Sequence, residues 1–149
     1  MTYFKRNGVL PPRGSSGGAP AKGSIVVSSN SLSAAFYSDE GAQALSAIYV
    51  TDGGPGTLAG VQMSITGSPW LTATLTRTGA GWTLQASVDT GVASIGANSG
   101  TIVLTDSNAV TSPVNISVSL TVTAATPTIA LSNNALTLQA VAGQQGNSA

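Results

Sequence analysis

The 149-residue chain contains no cysteine and no histidine. The first absence excludes disulfides, thiol nucleophiles and thiolate metal sites. The second removes the side chain best suited to general-base work near neutral pH. Charge is almost as scarce: five basic and five acidic residues make up 7% of the chain and cancel to a formal net charge of zero. No apolar run approaches the ~18 residues of a membrane span, and no window shows the apolar stripe of an amphipathic helix. What is abundant is glycine, with 18 residues, together with serine and threonine, which supply roughly a quarter of the chain, well above globular usage. A hydrophobic share of 42% is ample for one core. This composition leaves no catalytic residue, metal ligand or cofactor site to be expected, and it directs attention to architecture.

The zero net charge is a cancellation between two regions. Lys5, Arg6, Arg13 and Lys22 lie near the start, whereas the remainder carries Arg77 against Asp39, Glu40, Asp52, Asp89 and Asp106. Residues 1–23 are rich in turn formers and have neither a helical nor a strand period, so they read as an extended arm. Apart from Met1, Tyr3, Phe4, Val9 and Leu10 are its large apolar groups. They are the groups that can offset the entropy of ordering such a segment on a partner, and Lys5, Arg6 and Arg13 would accompany them as docking residues. Four dispersed bases are too few for a nucleic-acid groove, so the expected partner is a protein. The opening lacks the apolar stretch of a secretory signal, so synthesis in a cytoplasm without a signal peptide is expected.

Residues 24–124 change to short β-type runs separated by Gly, Asn, Asp and Pro. Strands are predicted near 24–27, 32–36, 44–51, 60–66, 71–77, 82–88, 100–105 and 114–122. Alternation is clearest in Val114-Asn115-Ile116-Ser117-Val118-Ser119-Leu120-Thr121-Val122, which places every second residue on one face. Strands at this spacing with no helix predict an all-β, immunoglobulin-like two-sheet β-sandwich. Residues 125–149 read as a linker and the incomplete start of a second repeat. Ile25-Val26-Val27-Ser28-Ser29-Asn30-Ser31-Leu32-Ser33 aligns without gaps on Ile129-Ala130-Leu131-Ser132-Asn133-Asn134-Ala135-Leu136-Thr137, about one such domain further along the chain. Some 20 residues cannot close a sandwich, so this segment is expected either to open a further domain or to add a strand to a neighbouring sheet.

Several motifs invite sharper chemistry and fail on context. Gly14-Ser15-Ser16-Gly17-Gly18 has the form of a nucleophile elbow but no histidine to receive the serine proton. Asp89-Thr90-Gly91 has the form of an aspartic-protease triplet, but it follows a strand and reads as a turn. Gly54-Pro55-Gly56 leads into a strand rather than a helix, unlike a dinucleotide loop. The five carboxylates show no calcium-loop spacing and read as solvated loop groups. Trp70 and Trp82 are the two candidates for stacking on a glycan, although Trp70 beside Leu71, and Trp82 in phase with Leu84, Ala86 and Val88, read as core.

Four pieces in order carry a family resemblance: Ser28-Ser29-Asn30-Ser31-Leu32-Ser33, Gly67-Ser68-Pro69-Trp70-Leu71-Thr72, Asn98-Ser99-Gly100-Thr101-Ile102-Val103-Leu104-Thr105, and the alternating run from Val114 to Val122. Together they resemble the immunoglobulin-like repeats of the BACON type and their relatives, found in bacterial surface proteins and in bacteriophage tail and capsid proteins. The loop Thr51-Asp52-Gly53-Gly54-Pro55-Gly56 departs from that pattern. The resemblance implies a binding or spacer module and no enzyme. Two functions are expected from it. The first is a structural protein of a bacteriophage virion, a capsid decoration or a tail or fibre component present in many copies and fastened to other virion proteins by its arm. The alternative is a carbohydrate-binding or adhesive module of a bacterial surface protein. A host surface glycan is a partner compatible with both.

Overall fold

The computed structural model describes residues 18–67, 69–127 and 129. Nine strands form two sheets: β1 (Ile25–Val27), β2 (Ser31–Tyr37), β3 (Ala42–Ala44), β4 (Ile48–Asp52), β5 (Gln62–Thr66), β6 (Leu71–Thr78), β7 (Gly81–Asp89), β8 (Gly96–Thr105) and β9 (Val114–Thr123). No helix occurs among the described residues. In the first sheet β6 pairs with β7 along its length, so β3 and β4 share the opposite edge of β7, and β1 lies outside β4. The second sheet runs β2-β9-β8-β5, with β2 and β9 parallel and the other pairs antiparallel. The opening segment is therefore divided: β1 belongs to one sheet and β2, after the turn at residues 28–30, to the other.

Alternating sequence becomes alternating burial because successive strand side chains point to opposite faces. In β9, Ile116, Val118, Leu120 and Val122 are at most 2% exposed while the intervening Asn, Ser and Thr face solvent. On β7, Trp82, Leu84, Ala86 and Val88 are buried in the same way. The inner residues of both sheets form one hydrophobic cluster, which makes the architecture sandwich-like. Each fully buried aliphatic side chain there contributes about 1.5–3 kcal/mol relative to exposure.

Two boundaries differ from the sequence expectation. The strand expected at 44–51 is interrupted. Ala42 pairs with Asp89 and Ile48 with Leu84, so six steps on one strand oppose five on β7. The extra residue is a β-bulge. It allows Leu45 and Ile48, three apart and hence on opposite faces of a regular strand, both to reach the core. The Gln85 side chain donates from Nε2 to the Leu45 carbonyl at 2.6 Å, and the Leu45 N–H donates to the Ala86 carbonyl at 2.9 Å, which satisfies the displaced backbone. Strand β8 also begins at Gly96 rather than at residue 100, pairing with β9 from Val122 onward. There the Asn98 amide donates to the carbonyls of Ser94 and Gly96 at 2.7 and 3.1 Å and folds the chain into the strand.

Candidate functional site

The most constructed region of the molecule is the point where the N-terminal segment joins the sandwich. Residues 22–25 are threaded between the loop at 53–57 and the loop at 108–111. Lys22 bridges Thr57 and Gly23 bridges Ala109, both in parallel sense. The Gly23 N–H donates to the Asn108 carbonyl and the Val110 N–H donates to the Gly23 carbonyl, each at 2.9 Å. The Gly56 N–H donates to the Lys22 carbonyl at 3.1 Å, and the Ile25 N–H donates to Thr111 Oγ1 at 2.8 Å. Glycine is required on the facing loop by proximity: a Cβ at Gly56 would run into the Ala21 carbonyl, and one at Gly54 would lie 2.7 Å from the Lys22 oxygen.

Two carboxylates hold this arrangement. Asp52 Oδ1 accepts the N–H groups of Ser24 at 2.9 Å and Gly54 at 3.1 Å, and its Oδ2 accepts that of Leu58 at 3.0 Å. Asp106 Oδ1 accepts from Ala59 at 3.2 Å and Asn108 at 2.8 Å, while its Oδ2 accepts from Gly60 at 2.7 Å. The Asn108 side-chain amide donates to the Thr57 carbonyl and ties the two loops together. The loop at 53–60 is thus fastened near its start by the adjacent Asp52 and at its end by Asp106, 46 residues beyond Gly60.

Hydrogen bonds to a carboxylate stabilise its charged form. The Ser24 N–H is the main cause holding the Asp52 carboxyl below its usual range, aided by Gly54 and Leu58 against the opposing effect of desolvation. For Asp106 desolvation is the largest single influence and acts upward. The N–H groups of Gly60, Asn108 and Ala59 together outweigh it, with Asp52 as a further opposing charge, and the net shift is downward. Both groups are poor proton acceptors whose oxygens already face backbone donors. The reading of these aspartates as solvated is corrected: Asp106 is 4% exposed, and both serve as internal staples. A cleft of about 560 Å³ opens beside Asp106, lined by Ala59, Gly60, Gln62, Thr105, Ser107 and Ser112. Its walls are small and, apart from Asp106, uncharged.

The docking residues expected in the arm, Tyr3, Phe4, Lys5, Arg6, Val9, Leu10 and Arg13, lie outside the described residues, as do nearly all of the Gly14–Gly18 motif and the second-repeat segment apart from residues 125–127 and 129. The stacking candidates are placed. Trp70 is 2% exposed and packs over Gly100, where a Cβ would meet the Leu71 side chain at 2.8 Å and the indole at 3.4 Å. The two motif pieces around Trp70 and Gly100 therefore meet in space. Trp82 is 8% exposed, and the Arg77 guanidinium stands 5.3 Å from its ring centroid, a cation–π contact. Neither indole presents a free face for a sugar. Among the described residues the exposed aromatics are Tyr37 and Tyr49, at 52% and 61%, on opposite sheets. Asp89-Thr90-Gly91 is a turn, in which the Gly91 N–H donates to Asp89 Oδ1 at 2.9 Å and buried Thr90 donates from Oγ1 to the Gly41 carbonyl at 3.2 Å.

A scan of protein-family models and a search of curated proteins return no match for the chain.

Proposed function

We propose that the protein is a non-enzymatic structural module of a bacteriophage virion, in which an immunoglobulin-like domain is held on other virion proteins by the arm at residues 1–21. The observation that carries this reading is the clamp at residues 22–25. An arm that transmits a docking force needs a root fixed to the body, and here the root is tied by backbone bonds to two loops that are themselves stapled by Asp52 and Asp106. The strand order supports the immunoglobulin-like assignment. With β1, β4, β7 and β6 taken as A, B, E and D, and β5, β8 and β9 as C, F and G, the two sheets have the ABED and CFG arrangement. The split of the opening segment between sheets then places β2 beside G.

The outer faces favour a spacer over a reactive surface. The exposed face of β9 presents Asn115, Ser117, Ser119, Thr121 and Thr123, and that of β6 presents Thr72, Thr74 and Thr76. Such faces remain solvated without offering a charged groove. The adhesive alternative requires an aromatic platform, and the burial of Trp70 and Trp82 weighs against it. Cross-linking mass spectrometry on intact particles tests the proposal. Lys5 and Lys22 should link to a different virion protein, and links confined to the protein's own sandwich would overturn it.

A further inference from the structure

The longest outer strand of the molecule is open along one side. Among the described residues β6 pairs only with β7, in an unbroken register from Leu71 opposite Val88 to Thr78 opposite Gly81. It has eight residues, whereas the outer strands β1 and β3 have three each, β5 five and β2 seven. One bond fixes the direction of its backbone groups. The Asp89 N–H donates to the Trp70 carbonyl at 2.8 Å, and residues of an antiparallel strand alternate between facing the partner strand and facing away. Thr72, Thr74, Thr76 and Thr78 therefore bond to β7, while Leu71, Ala73, Leu75 and Arg77 aim their N–H and carbonyl groups at the open edge. The bond from the Leu45 N–H to the Ala86 carbonyl, on the other edge of β7, agrees with this phase. The usual protections of an edge are missing: β6 holds no proline, lysine or bulge. Its one charge, Arg77, lies over Trp82 of its own chain.

We propose that this edge pairs with the same edge of a second copy, antiparallel about a two-fold axis at Ala73. Residues 71–75 read Leu-Thr-Ala-Thr-Leu, identical in both directions. A two-fold contact demands such self-complementarity, and a strand from a different chain would not. In this register Leu71 of one copy stands opposite Leu75 of the other, Thr72 stands opposite Thr74, and the two Ala73 residues face each other. The outward backbone groups of Leu71, Ala73 and Leu75 then exchange about six main-chain bonds. Moving the axis to Thr74 would set Leu71 against Arg77, and moving it to Leu75 would set Ala73 against Arg77, so the axis at Ala73 keeps the cation out of the apolar row. It also leaves the two Arg77 side chains roughly 27 Å apart along the strands, at about 3.4 Å per residue, well beyond the screening length. Ala73 and Leu75 are only half-buried, as are Met63 and Ile65 on β5, the neighbouring outer strand of the other sheet. All four already pack against the core, and an added strand extends that burial. The proposal is independent of the docking role assigned to residues 1–21.

Cross-linking tests it on the full chain, where the absence of native cysteine makes every bridge assignable. Thr72 and Thr74 lie on the exposed face and would form a non-hydrogen-bonded pair across the axis, with Cα atoms about 4.5 Å apart, within disulfide reach. Thr72→Cys mixed with Thr74→Cys should give disulfide dimers at least tenfold above either variant alone and above Thr121→Cys, on the exposed face of β9 in the other sheet. A mixture that does no better than the separate variants or the control would overturn the proposal. Sedimentation gives a second reading. The native chain should pass from monomer to dimer with rising concentration, and Ala73→Pro, which removes an N–H that does not bond to β7, should weaken that association at least tenfold with the circular dichroism unchanged. A native chain still monomeric at about 1 mM, the weak end of specific binding, or an association untouched in a folded Ala73→Pro variant, would contradict it.

Discussion

Asp106→Asn isolates what the carboxylate staple contributes. The native side chain accepts three backbone N–H bonds, two on Oδ1 and one on Oδ2. The amide keeps a single acceptor oxygen, and its better orientation retains the Ala59 and Asn108 bonds. It loses the shortest bond, from Gly60, and sets an NH2 group against that N–H. A hydrogen bond to a charged group contributes about 1.5–3 kcal/mol, and a buried donor left unpaired adds its own penalty. The adjoining cleft admits water to part of the site, so the expected loss is about 2–3 kcal/mol at pH 7. In a domain of this size that corresponds to a fall in melting temperature of roughly 8–20 °C. Acid supplies the internal control. The folded-state pKa of Asp106 is lowered, so its contribution is fully present above the unfolded value and declines as pH falls through that value towards the folded one. The gap between the native protein and the variant should be widest at neutral pH and narrow below about pH 4. Asp52 is present in both proteins, and its titration largely cancels in the difference. Thermal and urea unfolding at pH 7, 5 and 3 measure this. A variant as stable as the native protein at pH 7, or a gap that does not change with pH, would refute the reasoning.

Trp70→Ala removes the largest fully buried side chain and should cost about 3–5 kcal/mol in urea unfolding; a loss below 1 kcal/mol would show that the indole is not packed over Gly100. Gly56→Ala places a methyl group against the Ala21 carbonyl and should cost about 1–3 kcal/mol through overpacking, with faster proteolytic cleavage near residues 18–23; unchanged cleavage would show that the loop does not clamp the root. Thr74→Glu, on the exposed face of β6, should leave stability within about 0.5 kcal/mol as read by melting temperature. A larger loss there would mean that this face is covered.

Strand positions were legible because period-two patterning survives wherever one face is dry, as in Val114 to Val122 and Trp82 to Val88. The bulge was not legible. Ala44-Leu45-Ser46-Ala47-Ile48 carries no glycine or proline to mark a break, and the extra residue is accommodated by Gln85, about 40 residues away. The roles of Asp52 and Asp106 were hidden for a related reason: half of their six bonds reach donors 28, 46 and 47 residues distant. A local trace did exist. In Asp52-Gly53-Gly54 and Asp106-Ser107-Asn108 the carboxylate accepts from the N–H two residues on, the signature of an Asx-turn. Reading those triplets as turns would have tied each aspartate to backbone rather than to solvent. The contact of Trp70 with Gly100 was half visible, since both lie in motif pieces that the family resemblance singles out, while their meeting depends on the pairing of β5 with β8.

The central claim is that a clamped arm fastens a chemically inert domain to an assembly, and cryo-electron microscopy of the native particle tests it most directly. The predicted result is density for residues 1–21 extended across a different subunit at symmetry-related positions, with the domain from Lys22 to Thr123 projecting from it. An arm folded back on its own sandwich, or a particle that lacks the protein, would contradict the account.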